Sequence, residues 1–400
     1  MWIEWTIATR FLREGKAQST LILVGIATGV AVIVFLTALI TGLQGNIIER
    51  TLGTQAHIRV QPTEETNRIL APADGAVQLV LENKRAQRLR SINNWQQVRD
   101  VLDTLPQVTA VSPVISGPAF ARRGEALESV ALIGIDAPRY QRIIPIQDDV
   151  IAGVFRIGAG DTVIGRQLAA DLGIRVGDKL RLDGGQGRET VLNVAGIFEL
   201  GVRELDSRYV YLDMKQAQSL LDLPGAATVI DVTVADIFAA REVSARIARL
   251  TGLKSESWME TNAQLMNALR SQSLSTQMIS LFVALSVALG IASVLSVSVV
   301  QRTREIGILR AMGTTRPQML RVFLMQGAIF GLAGSLVGGL AGYGLVGAFN
   351  TFGPKLFYIP VSPWLLVAAA MVATVTGIVS AAIPARRASG LDPVEAIRHV

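Results

Sequence analysis

Four stretches of this chain run without a single Asp, Glu, Lys or Arg: Ala17 to Ile48, Ser271 to Gln301, Val322 to Pro354 and Leu356 to Ala385. Each is longer than the ~20 apolar residues needed to cross a hydrocarbon core about 30 Å thick. In hydrocarbon the backbone N–H and C=O groups must be satisfied within the segment, so such stretches are held to the helical conformation. Buried helices of water-soluble cores seldom stay charge-free for so long. Composition agrees, with 50% hydrophobic residues, 18% charged residues and a mean hydropathy of +0.41, values foreign to an ordinary soluble domain. The first stretch far exceeds the ~7–15 apolar residues of a cleaved signal, and it reads as an anchor that stays.

Charge orients these helices. Basic residues gather in the N-terminal segment (Arg10, Arg13, Lys16), in the loop from Arg302 to Arg321, where five arginines stand against Glu305 alone, and in the tail (Arg386, Arg387, Arg398). The stretch from Glu49 to Arg270 is nearly balanced, so most of the formal net charge of +6 lies in these short segments. The positive-inside rule then places both termini and the loop in the cytoplasm. The high sequence pI of about 9.9 reports this topology, because no basic patch with interleaved aromatics points to nucleic acid.

The resulting fold class is an α-helical membrane protein with four transmembrane helices plus a large α+β extracytoplasmic domain between the first and second helices. Its segments are a cytoplasmic start (1–16), a first span (17–48), the α+β domain (49–270), a second span (271–301), a cytoplasmic loop (302–321), a third span (322–354), a fourth span (355–385) and a cytoplasmic tail (386–400). Within the domain, Ala56–Val60, Val130–Ile135, Val191–Phe198 and Tyr209–Leu212 read as strands. Trp95, Val98, Leu102 and Leu105 share one helical face, Ile237 to Leu250 reads as a second helix, and there is room for two lobes. The charged run Glu82 to Arg90 reads as a solvated face. The chain has no cysteine, so no disulfide braces the domain even where an oxidising compartment would permit one.

Groups suited to catalysis are sparse. The two histidines, His57 and His399, fall on opposite sides of the membrane in this topology, which argues against a zinc site or a His-based triad. No Gly-x-x-x-x-Gly-Lys-Ser/Thr loop is present to cradle ATP phosphates. Asp148 and Asp149 are adjacent on the chain, so their carboxylates point apart and read as a surface turn. We therefore expect no enzyme and no cofactor in this chain.

The spans carry stripes of small residues. Ser280, Ala284, Ala288, Ala292 and Ser296 recur every fourth position in the second span, Gly327, Gly331, Gly334, Gly338 and Gly342 form a stripe in the third, and Gly25 and Gly29 repeat the theme in the first. Small-xxx-small stripes let helix backbones approach closely where lipid gives no hydrophobic drive to associate. We read the glycine stripe as packing among the chain's own helices. Gly25, Gly29, Ala284, Ala288 and Ala292 read as helix packing or a dimer interface, and the Ser/Ala stripe of the second span is the candidate for packing against a second subunit.

The cytoplasmic loop is the sharpest local feature. Glu305 to Met312 reads as a short amphipathic helix with Ile306, Leu309 and Met312 on one side and Gly313 at the left-handed position that ends it. Thr315-Arg-Pro-Gln318 has the form of a capping box that opens the next helix. The bland reading is an interfacial helix resting on lipid; its short apolar face and tight punctuation suit a plug for a protein groove.

At these residues the chain resembles a known family. Arg302-Thr-Arg-Glu-Ile-Gly-Ile-Leu-Arg-Ala-Met-Gly313, the Gly-rich third span and Pro384-Ala-Arg-Arg-Ala-Ser-Gly-Leu-Asp-Pro-Val-Glu-Ala-Ile397 look like the FtsX-type permease of mechanotransmitting (type VII) ABC transporters. Ala8-Thr-Arg-Phe-Leu-Arg13, Gly25-Ile-Ala-Thr-Gly-Val30 and Ser257-Trp-Met-Glu260 are similar to its lipoprotein-releasing LolC/LolE branch. Ile164-Gly-Arg-Gln-Leu-Ala-Ala-Asp-Leu-Gly173 with Gly177-Asp178 resembles the periplasmic core shared with MacB-type proteins. The resemblance implies a permease subunit of the bacterial inner membrane, working in a dimer with an identical or related permease. Two copies of a separate ATPase would bind ATP and Mg. Ile306 and Leu309 would seat in an ATPase groove, Arg304 and Glu305 would orient them, and Gly313 would end the helix. Lipoprotein cargo and a periplasmic carrier are the implied partners, with adaptor-linked efflux of the MacB type or a non-transporting FtsX-like regulator as alternatives. The LolC type captures its carrier with a protruding hairpin; here the short turn Asp183-Gly-Gly-Gln-Gly187 stands in its place.

Overall fold

The computed structural model describes residues 2–63, 89–185, 187–354 and 356–390. Residues 82–88 of the charged run, Gln186, Lys355 and the tail beyond 390, with Arg398, His399 and the end of the Pro384–Ile397 motif, lie outside the described residues.

In chain order the elements are α1 (Trp2–Glu14), α2 (Lys16–Leu52), β1 (Ile58–Gln61), α3 (Trp95–Asp103), β2 (Val108–Arg123), β3 (Ala126–Ile135), α4 (Ala137–Tyr140), β4 (Val150–Gly153), β5 (Asp161–Gly165) and α5 (Arg166–Asp171). They continue with β6 (Lys179–Asp183), β7 (Glu189–Phe198), α6 (Arg203–Arg208), β8 (Tyr209–Asp213), α7 (Met214–Leu220), β9 (Val229–Val234), α8 (Ala240–Thr251), β10 (Lys254–Ser257) and α9 (Trp258–Thr261). The last four are α10 (Ala263–Gln301), α11 (Thr303–Ala311), α12 (Arg316–Phe352) and α13 (Pro363–Gly390). Two compact units result: residues up to Ile48 together with those from Asn267 onward, and Glu49–Met266.

The first unit holds the four long apolar helices, α2, α10, α12 and α13, each long and apolar enough to cross a membrane. At 37 and 39 residues, α2 and α10 are about 55–60 Å long at 1.5 Å per residue, so both outrun the hydrocarbon thickness. Several helix ends differ from the sequence reading, most widely at two starts. The second long helix begins at Ala263, ahead of the expected Ser271, because Ala263–Arg270 has no Gly or Pro to stop it and continues the helix. The fourth begins only at Pro363: Pro360 interrupts the charge-free stretch, and proline suits a first helical turn but not an interior. The backbone before it is tied down where Asn350 Oδ1 accepts from Ile359 N at 3.0 Å and Asn350 Nδ2 donates to Ile359 O at 3.1 Å.

Among the described residues, the α+β unit is built on a ten-stranded sheet. Six strands close on themselves: β2 pairs β3, β3 pairs β8, β8 pairs β5, β5 pairs β7, β7 pairs β6, and β6 returns to β2. Closure removes the exposed edges that open sheets present. Along β6, Leu180 and Leu182 point into the core while Lys179 and Arg181 face out, the period-2 alternation of a half-buried strand. The second lobe is β9, β1 and β10, an antiparallel set. A single strand, β2, serves both: Val108–Val114 pairs β9, and Val114–Arg123 pairs β3. The expected strands and the helix facing Val98 and Leu102 are present, both side chains buried. The segment Ile237–Leu250 divides into a 3-10 turn at Ile237–Ala239 and α8, which buries Ala240, Val243, Ser244 and Ile247 and ends at Gly252 with φ +69°.

Candidate functional site

The loop between α10 and α12 folds as a punctuated helix. α11 spans Thr303–Ala311, one to two residues earlier than the expected Glu305–Met312, and Met312 is its C-cap. Gly313 has φ +103°; its N–H donates to Arg310 O and the N–H of Thr314 to Leu309 O, each at 3.1 Å. This pair of bonds is the Schellman closure, which needs a left-handed residue at Gly313. Thr315 then caps α12, its N–H donating to Gln318 Oε1 at 2.9 Å.

The direction in which α11 faces corrects the sequence reading. Ile306 is 0% exposed and packs with Val299, Met319, Phe323 and Ala385 of the chain's own helices. Leu309 is half-buried against the same cluster and against Ala8, Phe11 and Val322. Neither is free to fill a partner's groove. Amphipathicity showed that α11 has an apolar side, but only the neighbouring helices decide what covers it. The outward face carries Arg304, Glu305, Ile308, Ala311 and Met312, with Met312 72% exposed.

The glycine stripe packs internally, and it turns with the helix. A side-chain carbon at Gly331 would lie 2.7 Å from Ala373 O and Thr374 Cα of α13, and Gly327 meets the backbone at Gly377. Further along, Gly334 approaches Ile26, Gly338 approaches Ala27 and Val30, and Gly342 approaches Val34, all on α2. One stripe thus seats α13 with its first part and α2 with its second.

Gly29 and the Ser/Ala stripe lie on either side of the α2–α10 contact in different ways. A Cβ at Gly29 would meet Val287 Cγ2 of α10 at 2.6 Å, so Gly29 is a contact within the chain. Gly25 has open space beside it and borders a shallow groove between α2 and α10 with Ser286 and Gly290. Ala284, Ala288 and Ala292 are half-buried along the flank of the inner contact made by Ile291 and Leu295. The fully outward side of α10 instead shows Leu281, Phe282, Leu285 and Leu289.

Between α2, α10 and α13 lies an open cleft of about 500 Å³. Its walls include Ile33, Val287 and Val372, and its polar groups are hydroxyls and amides, among them Thr37, Thr41, Gln44 and Gln277, with no charged side chain among the described residues. Gln44 Nε2 donates to Leu269 O at 3.1 Å and to Ser273 Oγ at 3.0 Å, tying α2 to α10 at one end of the cleft. Such a lining accepts an apolar chain with a small polar head.

Titratable groups outside the spans serve structure. His57 Nδ1 lies 3.2 Å from Val234 N and 3.1 Å from its O, and burial pushes the ring's pKa down. Burial likewise pushes the Asp206 carboxyl up, while it accepts from Leu200 N at 2.8 Å. A hydrogen bond from Arg156 holds Asp161 below the ordinary carboxylate range. Asp148 and Asp149 sit in a one-turn 3-10 helix, with Asp149 raised first by burial and then by its neighbour.

Residues 19–250, more than half of the chain, match the family model of the MacB-like periplasmic core domain. The chain belongs to this MacB-like family. Residues 277–393 of this MacB-like chain match the FtsX-like permease C-terminal model. Among relatives, the lipoprotein-releasing system transmembrane protein LolC of Xylella fastidiosa (strain 9a5c) is 26% identical, covering 98% of both chains. LolE of Haemophilus influenzae is 24% identical over 94% of this chain and 92% of its own. The macrolide export ATP-binding/permease protein MacB of Shewanella oneidensis is 24% identical over 96% of this chain, but only 58% of its own length is covered. The solved periplasmic region of MacB from Actinobacillus actinomycetemcomitans aligns with 55% of this chain at 14% identity and a TM-score of 0.36. The chain is thus a multi-pass ABC transporter permease of the FtsX-like type.

Proposed function

We propose that this chain is the permease subunit of a lipoprotein-releasing ABC transporter of the bacterial inner membrane, driven by a separate ATPase and acting through an α+β domain in the periplasm. The end-to-end match to LolC, along 98% of both chains, is the observation that carries this reading. ATP and Mg would sit on the ATPase pair, which would dock on the outward face of α11 in each of two permeases, identical or related. Closure of the ATPase pair would displace α11 and, through the continuous helices α10 and α2, reach the domain. The charge-free cleft suits the acyl chains of a lipoprotein anchor, with Gln44 and Ser273 near its polar end. The strands β6 and β7 are joined by the short turn after Asp183, where Gly184 N donates to Arg188 O at 3.0 Å, so this subunit lacks a protruding hairpin there with which to capture a carrier, and capture falls to a second permease only where that permease is a related chain.

Purification of the native complex from membranes, followed by mass spectrometry of its subunits and bound cargo, tests this reading. An ATPase chain and triacylated protein should copurify. Ile308→Asp and Met312→Asp should each lose the ATPase while the permease remains folded. Recovery of a small-molecule exporter's adaptor in place of lipoprotein would favour the MacB-type reading, which the 96% coverage by the Shewanella relative keeps as the alternative.

A further inference from the structure

Arg302 sits at the single-residue break between α10 and α11, and its side chain turns inward, only 11% exposed. It converges on the end of α1. Its Nη2 donates to Phe11 O at 3.0 Å, its Nη1 lies 3.3 Å from Glu14 Oε2 and 3.7 Å from Glu305 Oε2, and its guanidinium carbon stands 4.8 Å from the centre of the Phe11 ring. The break at Gly15 explains why a cation is wanted there. A helix end leaves carbonyls without intrahelical partners and carries partial negative charge that a cation stabilises. Ser19 Oγ donates to Leu12 O at 2.9 Å, and Arg302 donates to Phe11 O, which otherwise accepts a long bond, 3.4 Å, from Gly15 N. Gly15 keeps the approach open, since a Cβ there would stand 3.2 Å from Arg302 Nη2.

Two further contacts flank the same pair of breaks, the first between α2 and α10 and the second between α11 and α1. Gln18 Nε2 donates to Gln301 Oε1 at 2.6 Å, and Leu309 of α11 touches the Ala8, Phe11 and Val322 cluster that seats α1. At the other end of α1, buried Glu4 lies 3.4 Å from Arg321 of α12.

From this geometry we infer that Arg302 is a positioning residue that bolts α1 to α11, so that a displacement imposed on the outward face of α11 enters α2 directly through the Gly15 junction. The inference rests on the proposed docking of an ATPase at α11 for its functional consequence, but the bolt is testable without any partner. A bidentate guanidinium stacked on an aromatic ring is not reproduced by an ammonium, so the lysine variant restores the charge without restoring the geometry.

The full chain has no cysteine, which makes site-directed labels clean. Spin labels at Arg13→Cys and Arg304→Cys should give one narrow distance distribution, broadened by Arg302→Ala and only partly narrowed again by Arg302→Lys. An unchanged narrow distribution in Arg302→Ala overturns the bolt, whatever partner the protein has. In the copurified complex, Arg302→Ala should keep its ATPase and lose cargo-stimulated turnover about tenfold, the scale of a charge-assisted hydrogen bond. Gln18→Cys with Gln301→Cys, oxidised to the disulfide, should turn over as well as when reduced, because parts that move together lose nothing by being tied. Loss of turnover on oxidation, reversed by reduction, would mean that the ends of α2 and α10 beside the two breaks must separate, so that the bolted junction does not move as one, and the inference would fall. If wild-type protein brings down no ATPase, the proposed function fails and the label distances alone decide the bolt.

Discussion

Gly331 and Gly344 lie on the same helix, α12, and the structure assigns opposite outcomes to the same substitution. At Gly331 a Cβ would sit 2.7 Å from Ala373 O and Thr374 Cα, both backbone atoms of α13, about 0.7 Å inside ordinary contact. Backbone cannot step aside as a side-chain tip can, so Gly331→Ala has to force α12 and α13 apart, at a cost of about 1–3 kcal/mol typical of overpacking. At Gly344 nothing lies within 4 Å of the added carbon, and Gly344→Ala only gains helix propensity, up to ~1 kcal/mol. Both variants share that gain, so the difference between them isolates the steric cost. Thermal melting of the full chain in one detergent, followed by size-exclusion of the surviving fraction, should place Gly331→Ala several degrees below Gly344→Ala. Equal melting of the two would refute close α12–α13 packing through the glycine stripe.

Leu309→Asp, which the sequence pattern alone would offer as a probe of a partner groove, should instead lower the stability of the isolated permease by several kcal/mol, since the carboxylate enters a cluster with Phe323; a melt equal to that of Ile308→Asp would contradict the assigned faces. Gly313→Val should cost about 1–3 kcal/mol, because a β-branched residue is strained at φ +103°, and it should expose α11 to limited proteolysis; an unchanged digestion pattern counts against the Schellman closure. Asp206 carries a raised pKa, so the folded state holds its proton more tightly, stability is lost as pH rises through that raised value and recovered below the ordinary carboxylate pKa of ~3.9. Asp206→Asn keeps the acceptor for Leu200 N and should melt at or above wild type at pH 7, with the advantage shrinking toward pH 4; a variant less stable at pH 7 than at pH 4, relative to wild type, reverses the sign and the explanation. Cysteines at Gly185 and Thr314 should react with an impermeant thiol reagent from opposite sides of the membrane, and labelling of both in intact spheroplasts would overturn the topology.

The long apolar stretches, the fold class and the punctuation of the cytoplasmic loop were legible in the residues, because each follows from local constraints. Absence of charge over a membrane's thickness, a glycine required at positive φ and a Thr-x-x-Gln capping box act within a few residues of themselves. The start of the fourth span was misplaced because charge alone was counted and the prolines at 360 and 363 were not. Partnership between distant segments was not legible. That β2 joins a closed six-stranded ring to a second lobe depends on pairings between residues more than a hundred positions apart, which no periodicity encodes. Periodicity put Ile306 and Leu309 on one face of α11, yet whether that face meets an ATPase or Phe323 and Ala385 depends on where α12 and α13 stand. Ala284, Ala288 and Ala292 gave the same signature as the glycines of α12, but a small residue only permits close approach. Which helix accepts the invitation is decided by tertiary packing, and the Arg302–Phe11 contact, linking residues 291 positions apart, exists only once both helix breaks are brought together.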